Sequence, residues 1–111
     1  MDVNRGMVVY FNWHQDKLFG KVRMLDDNGQ PTGPQIHFHH SGGRHIAKGR
    51  KGPKFVNHFS TNGQPDRLRN PRRGDQIVFV PAPNHKGHPT AKLWGFAETW
   101  DKILHEFDGV A

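Results

Sequence analysis

The chain has 111 residues, a formal charge of +6 and no Cys. That excludes disulfides, thiolate catalysis and Cys-ligated zinc, and the length suits one domain with a single modest core. Apolar residues make up only 33% of the chain, beside 13 Gly and 8 Pro; short strands joined by turns accommodate that density better than helices do.

In chain order, residues 7–12 (MVVYFN) are β-branched and aromatic and read as a strand. No signal peptide is expected from the opening MDVNRGMVVYFNW, and no apolar run approaches the ~20 residues of a membrane helix. After a polar turn, residues 18–25 (LFGKVRML) alternate. Leu18, Gly20, Val22 and Met24 share one face, and Phe19, Lys21 and Arg23 the other. The turn-rich DDNGQPTGP leads to residues 35–40 (QIHFHH), with Ile36 and Phe38 on one face and His37 and His39 on the other. Residues 42–73 form a long basic insertion that offers little to bury, so residues 49–53 are expected to be mobile. Within it, KFVNHFS reads equally as a short strand or one helical turn. Residues 75–80 (DQIVFV) and 90–97 (TAKLWGFA) are the last two strands. Trp100, Ile103, Leu104 and Phe107 then form one stripe of an amphipathic helix, expected to dock on the barrel and close its open end. The organisation is one domain over residues 1–97, with the insertion at 42–73 and a helix over 98–108 packed on it.

The outward faces of two neighbouring strands thus carry Phe19, Lys21, Arg23, His37 and His39. An exposed Phe among cations and imidazoles is an unusual solvent face, but it suits bases that stack while their phosphates are neutralised. The basic charge agrees, favouring nucleic acid over an anionic membrane.

The order of these pieces resembles a cold-shock domain. That family opens with Gly-x-Val-Lys-Trp-Phe-Asn, and Gly6-Met7-Val8-Val9-Tyr10-Phe11-Asn12 is similar. Its first RNA-binding motif, Lys-Gly-Phe-Gly-Phe-Ile, is matched by Lys17-Leu18-Phe19-Gly20-Lys21-Val22. Its second, Val-Phe-Val-His-Phe-Ser, is matched by Ile36-His37-Phe38-His39-His40-Ser41. The likeness spans residues 5–97. It implies a five-stranded antiparallel OB-type barrel, all-β apart from the insertion and a short C-terminal α-helix. It also implies a binding face of Tyr10, Phe11, Lys17, Phe19, Lys21, Arg23, His37, His39 and His40. The chain departs from the family by placing Tyr10 where Trp is usual, and Lys21, His37 and His40 where Phe is usual. Aromatic area is traded for charge and imidazole.

His37, His39, His40 and His45 raise the question of a metal, but no nearby Cys, Asp or Glu completes a set and there is no His-Glu-x-x-His helix. Ser41 and Ser60 are the only serines, and neither sits in a nucleophile elbow. The expectation is a cytoplasmic monomer that binds single-stranded RNA or DNA, needs no cofactor or metal, catalyses nothing and does not engage membranes. Two alternatives stay open: a His-metal nucleic-acid hydrolase, and a protein-interaction scaffold that uses the C-terminal helix.

Overall fold

A computed structural model describes residues 3–12, 18–56, 70–83 and 86–108. The elements are β1 (Asn4–Phe11), β2 (Phe19–Leu25), β3 (Pro31–His39), β4 (His45–Lys48), β5 (Pro53–Val56), β6 (Gln76–Pro83), β7 (Pro89–Phe96) and α1 (Ala97–Asp108). Five of the strands close into a barrel in the order β1-β2-β3-β7-β6, with β6 returning to β1. This is the mostly-β architecture the sequence implies, and its strand order is compatible with an OB-like fold.

One detail is corrected. The barrel is not purely antiparallel, because β3 and β7 pair in parallel at His37–Thr90 and Phe38–Ala91. Strand directions cannot alternate all the way round a closed ring with an odd number of members, so at least one parallel pair is unavoidable.

The barrel interior is filled by Val8, Val22, Ile36, Phe38, Ile77, Phe79, Ala91 and Trp94. These are the inward members of alternating strands. Phe38 lies edge-on to Trp94 with ring centroids 5.4 Å apart. Trp94 brings a polar atom into this core, and its indole Nε1–H donates to the His39 carbonyl at 2.8 Å. That bond satisfies the donor and ties the end of β3 to β7.

A second apolar layer lies outside the barrel. Ile77 and Phe79 point inward, so Val78 between them points outward, and it is buried there with Ala97 and Trp100. Ile46 of β4 and Phe55 of β5 pack against the same cluster, and the Phe55 and Trp100 rings lie 5.4 Å apart. The helix therefore covers the outer wall at β6 and does not plug an open end. Its stripe is used unevenly: Trp100 is buried, Ile103 and Phe107 are half-buried, and Leu104 stays 40% exposed. Among the described residues, two exposed ion pairs join α1 to its neighbours. Arg5 of β1 donates twice to Asp101, at 2.9 and 2.5 Å, and Lys48 lies 3.9 Å from Glu106.

The insertion buries more than its composition suggests. Strands β4 and β5 form an antiparallel hairpin, closed by the Gly49 N–H donating to the Gly52 carbonyl at 2.8 Å. The hairpin seats on β7 at Gly95, where a Cβ would lie 2.7 Å from Ile46 Cδ1 and 3.1 Å from the Arg44 carbonyl. The ambiguous KFVNHFS island begins as a strand; its residues 57–60 lie outside the described part. No helix among the described residues is long and apolar enough to cross a membrane.

Candidate nucleic-acid interface

Pairing across β1, β2 and β3 arranges the outer wall in rows. Tyr10 stands opposite Lys21, and Lys21 opposite His37. Phe11, Gly20 and Phe38 form the next row, and the one after it pairs Phe19 with His39. Side chains alternate between faces, so the first and third rows face outward and the middle row faces in. The outward rows carry Tyr10, Lys21 and His37, then Phe19 and His39.

A β-bulge decides which aromatic of β1 is presented. The register shifts between Val8 and Tyr10, leaving Val9 as the extra residue. Without it, simple alternation from buried Val8 would send Tyr10 inward and Phe11 outward. With it, Tyr10 is 38% exposed and Phe11 turns in, stacking on Phe38 at a centroid distance of 5.6 Å. Gly20 makes this crossing possible, since a Cβ there would run into the Tyr10 carbonyl oxygen. This glycine of the Leu-Phe-Gly-Lys stretch serves close approach of two strands.

The expected site residues therefore divide. Tyr10, Phe19, Lys21, Arg23, His37 and His39 lie on the outer wall. Phe11 packs against the core at one end of the barrel, with His40 beside it at a centroid distance of 6.4 Å. Lys17 lies outside the described residues. Alternation selects Phe19, Lys21, Arg23, His37 and His39; Tyr10, Phe11 and His40 were added by the motif likeness.

Local contacts order this wall. The Phe19 and His37 rings sit 5.3 Å apart, and Phe19 joins neither buried cluster. His39 is fixed through Nδ1, which accepts the Ser41 backbone N–H at 3.0 Å and meets the Ser41 hydroxyl at 2.8 Å. A backbone N–H can only donate, so the neutral ring carries its proton on Nε2, the atom left for a ligand. Arg23 Nε donates to the Gly33 carbonyl at 2.9 Å, which steadies the guanidinium along β3. His37 is held below the usual imidazole pKa, first by burial, then by the Lys21 ammonium and by His39. Its ring is thus neutral in conditions where an ordinary histidine begins to charge.

An open groove of about 560 Å³ adjoins these rows, lined by Lys21, Pro34, Gln35, His37, Lys86, His88 and Pro89. Sequence reasoning missed Lys86 and His88. They belong to PAPNHKGHP, which reads as a plain Pro/Gly connection, and their approach to Lys21 and His37 follows only from the parallel pairing of β7 with β3. The signal available in the sequence was a Lys and two His in a loop with no acid.

Among the described residues, neither the outward rows nor the groove lining contains an acidic side chain. Asp26, just past the end of β2, is engaged in its own turn, accepting the Asn28 and Gln30 N–H groups at 2.9 Å each, and Asp16 lies outside the described residues. Among the described residues no group of three or more His, Asp or Glu converges as a metal site would. The wall combines flat rings, cations and one imidazole N–H donor, which together can stack bases and neutralise phosphates. Comparison with family models, with characterised proteins and with solved structures finds no match for this chain.

Proposed function

We propose that this protein binds single-stranded nucleic acid on the outer wall of β1, β2 and β3, as a binding module without catalysis. The observation that carries the reading is the pair of outward rows: Tyr10, Lys21 and His37, then Phe19 and His39, with no acid among them. Neither Tyr10 nor Phe19 belongs to the buried clusters. Unpaired bases expose the faces that such rings stack on, and a duplex hides them. Lys21, Arg23 and Lys86 supply phosphate contacts. The resemblance of Lys17 to Val22 and of Ile36 to Ser41 to cold-shock motifs supports the same reading.

The test is titration with short oligonucleotides, single-stranded and duplex, followed by Trp and Tyr fluorescence. Single strands should bind more tightly. With three phosphate contacts at about −0.7 each, log affinity should fall with log salt at a slope near −2. Equal affinity for a helix-forming partner peptide and none for any single strand would return the molecule to a scaffold role.

A further inference from the structure

The wall opposite the proposed binding face carries its own concentration of charge. In a ring ordered β1-β2-β3-β7-β6, β2 lies across from β6 and β7. The outer side of those strands is covered by α1 and by the β4–β5 hairpin. Lys48 fixes where the hairpin tip goes: its ammonium lies 5.4 Å from the Phe107 ring centre and 3.9 Å from Glu106. The tip therefore projects beside the last turn of α1.

Residues 48–54 read KGRKGPK, with four cations and no acid. Lys48, Arg50, Lys51 and Lys54 are all exposed. Apart from Lys48, none of the four has an ion-pair partner among the described residues. Packing alone gives Arg50 and Lys51 no role. The hairpin body is anchored by Ile46 and Phe55, so the cations are displayed on a fixed support. The tip presents no aromatic ring, and so lacks what the other wall offers to an unpaired base.

We propose that the β4–β5 tip is a second binding surface, one that grips the phosphate backbone of duplex nucleic acid without regard to base sequence. A protein with a stacking wall on one side and a cationic tip on the other holds two nucleic-acid segments at once. The tip's charge is complementary to closely spaced phosphates, and a duplex offers these most densely. The tip does not depend on the stacking wall, so each surface can fail alone.

The experiment pairs direct binding with bridging. A short single strand is fixed to beads, and capture of a fluorescent blunt-ended duplex through the protein is measured. Wild type should bridge the two. The variant Arg50→Ala/Lys51→Ala/Lys54→Ala, checked for unchanged thermal unfolding, should bind the single strand within about twofold, since the hairpin packs on the side of the barrel away from β2. The same variant should lose about tenfold or more in duplex affinity, with its salt slope flattened by about 2.7, or 0.9 for each lost contact. Phe19→Ala should do the reverse, losing the beads while keeping the duplex in direct titration. A triple variant that bound and bridged the duplex like wild type would overturn the proposal. So would a triple variant that lost anionic phospholipid vesicles but kept the duplex, since the tip would then serve a membrane surface.

Discussion

The two walls of this barrel are built from the same kind of strand but finished differently. On β6, Ile77, Val78 and Phe79 are all buried, the odd residues by the barrel interior and Val78 by α1. On β2 and β3 only every second residue is buried, and Phe19, Lys21, His37 and His39 remain outside. A strand covered on both faces reads as a continuous apolar run, and a strand covered on one face alternates. The chain thus spends its limited apolar content on one wall and leaves rings and cations on the other. An uncovered wall that served only solubility would need no Phe or Tyr.

The covered wall is where the largest loss of stability is expected. Trp100→Ala removes the centre of the second layer, beneath Phe55 and against Val78. Truncating a buried Trp costs about 3–5 kcal/mol, so the melting temperature should drop sharply. Below that temperature, single-strand affinity should match wild type, because no outward residue of β2 or β3 touches this layer. Equal loss of stability and of binding would mean that the two walls are not independent.

The contrast between the walls was partly legible in the sequence. Alternation in LFGKVRML and QIHFHH assigns the faces of Phe19 to Val22 and of Ile36 to His39 as the structure shows them, although β3 already begins at Pro31, within the stretch that reads as a turn. For β1 it could not, because the bulge at Val9 reverses the alternation midway and leaves no mark in a run of apolar residues. The motif likeness did not help there, since it proposed Tyr10 and Phe11 together, and strand geometry presents only one of two neighbours on a face. The hairpin was hidden for another reason. Ile46 and Phe55 find their partners at Gly95 and Trp100, some forty to fifty residues away, and no local pattern announces a contact of that separation. Gly95, which looks like a defect in a strand, is where the hairpin seats.

On the open wall the expected effects concern binding. Phe19→Ala should weaken a short single strand by about 1–3 kcal/mol, the contribution of one stacked base. Phe19 is half-buried and outside both buried clusters, so the same change should cost far less stability than Trp100→Ala. Calorimetry and titration of one variant thereby separate the walls in the direction opposite to Trp100→Ala. Lys21→Ala should act more gently, flattening the salt slope by about 0.7 while preserving the preference for single strands. An unchanged slope would show that Lys21 meets no phosphate.

The smallest effect is a pH dependence centred on His37. Burial, Lys21 and His39 hold its pKa below the ordinary ~6.5, and Lys86 and His88 across the groove are further groups that face it. In the unfolded chain the same imidazole protonates near ~6.5. Its contribution to stability is therefore intact above that value and is lost as pH falls toward the lower folded pKa, because the unfolded state takes up the proton first. Compared with His37→Gln, wild type should lose melting temperature as pH drops from about 7.5 to 5.5. Binding should run the other way. A phosphate near His37 favours the imidazolium and opposes the Lys21 ammonium, so single-strand affinity should rise over the same interval, with proton uptake on binding. Lys21→Ala removes one of the depressing charges and should move the NMR titration of the His37 ring upward, shifting the rise in affinity to higher pH. Stability and affinity that changed in the same direction with acidification would place phosphate elsewhere on the molecule, away from the row that joins Tyr10, Lys21 and His37.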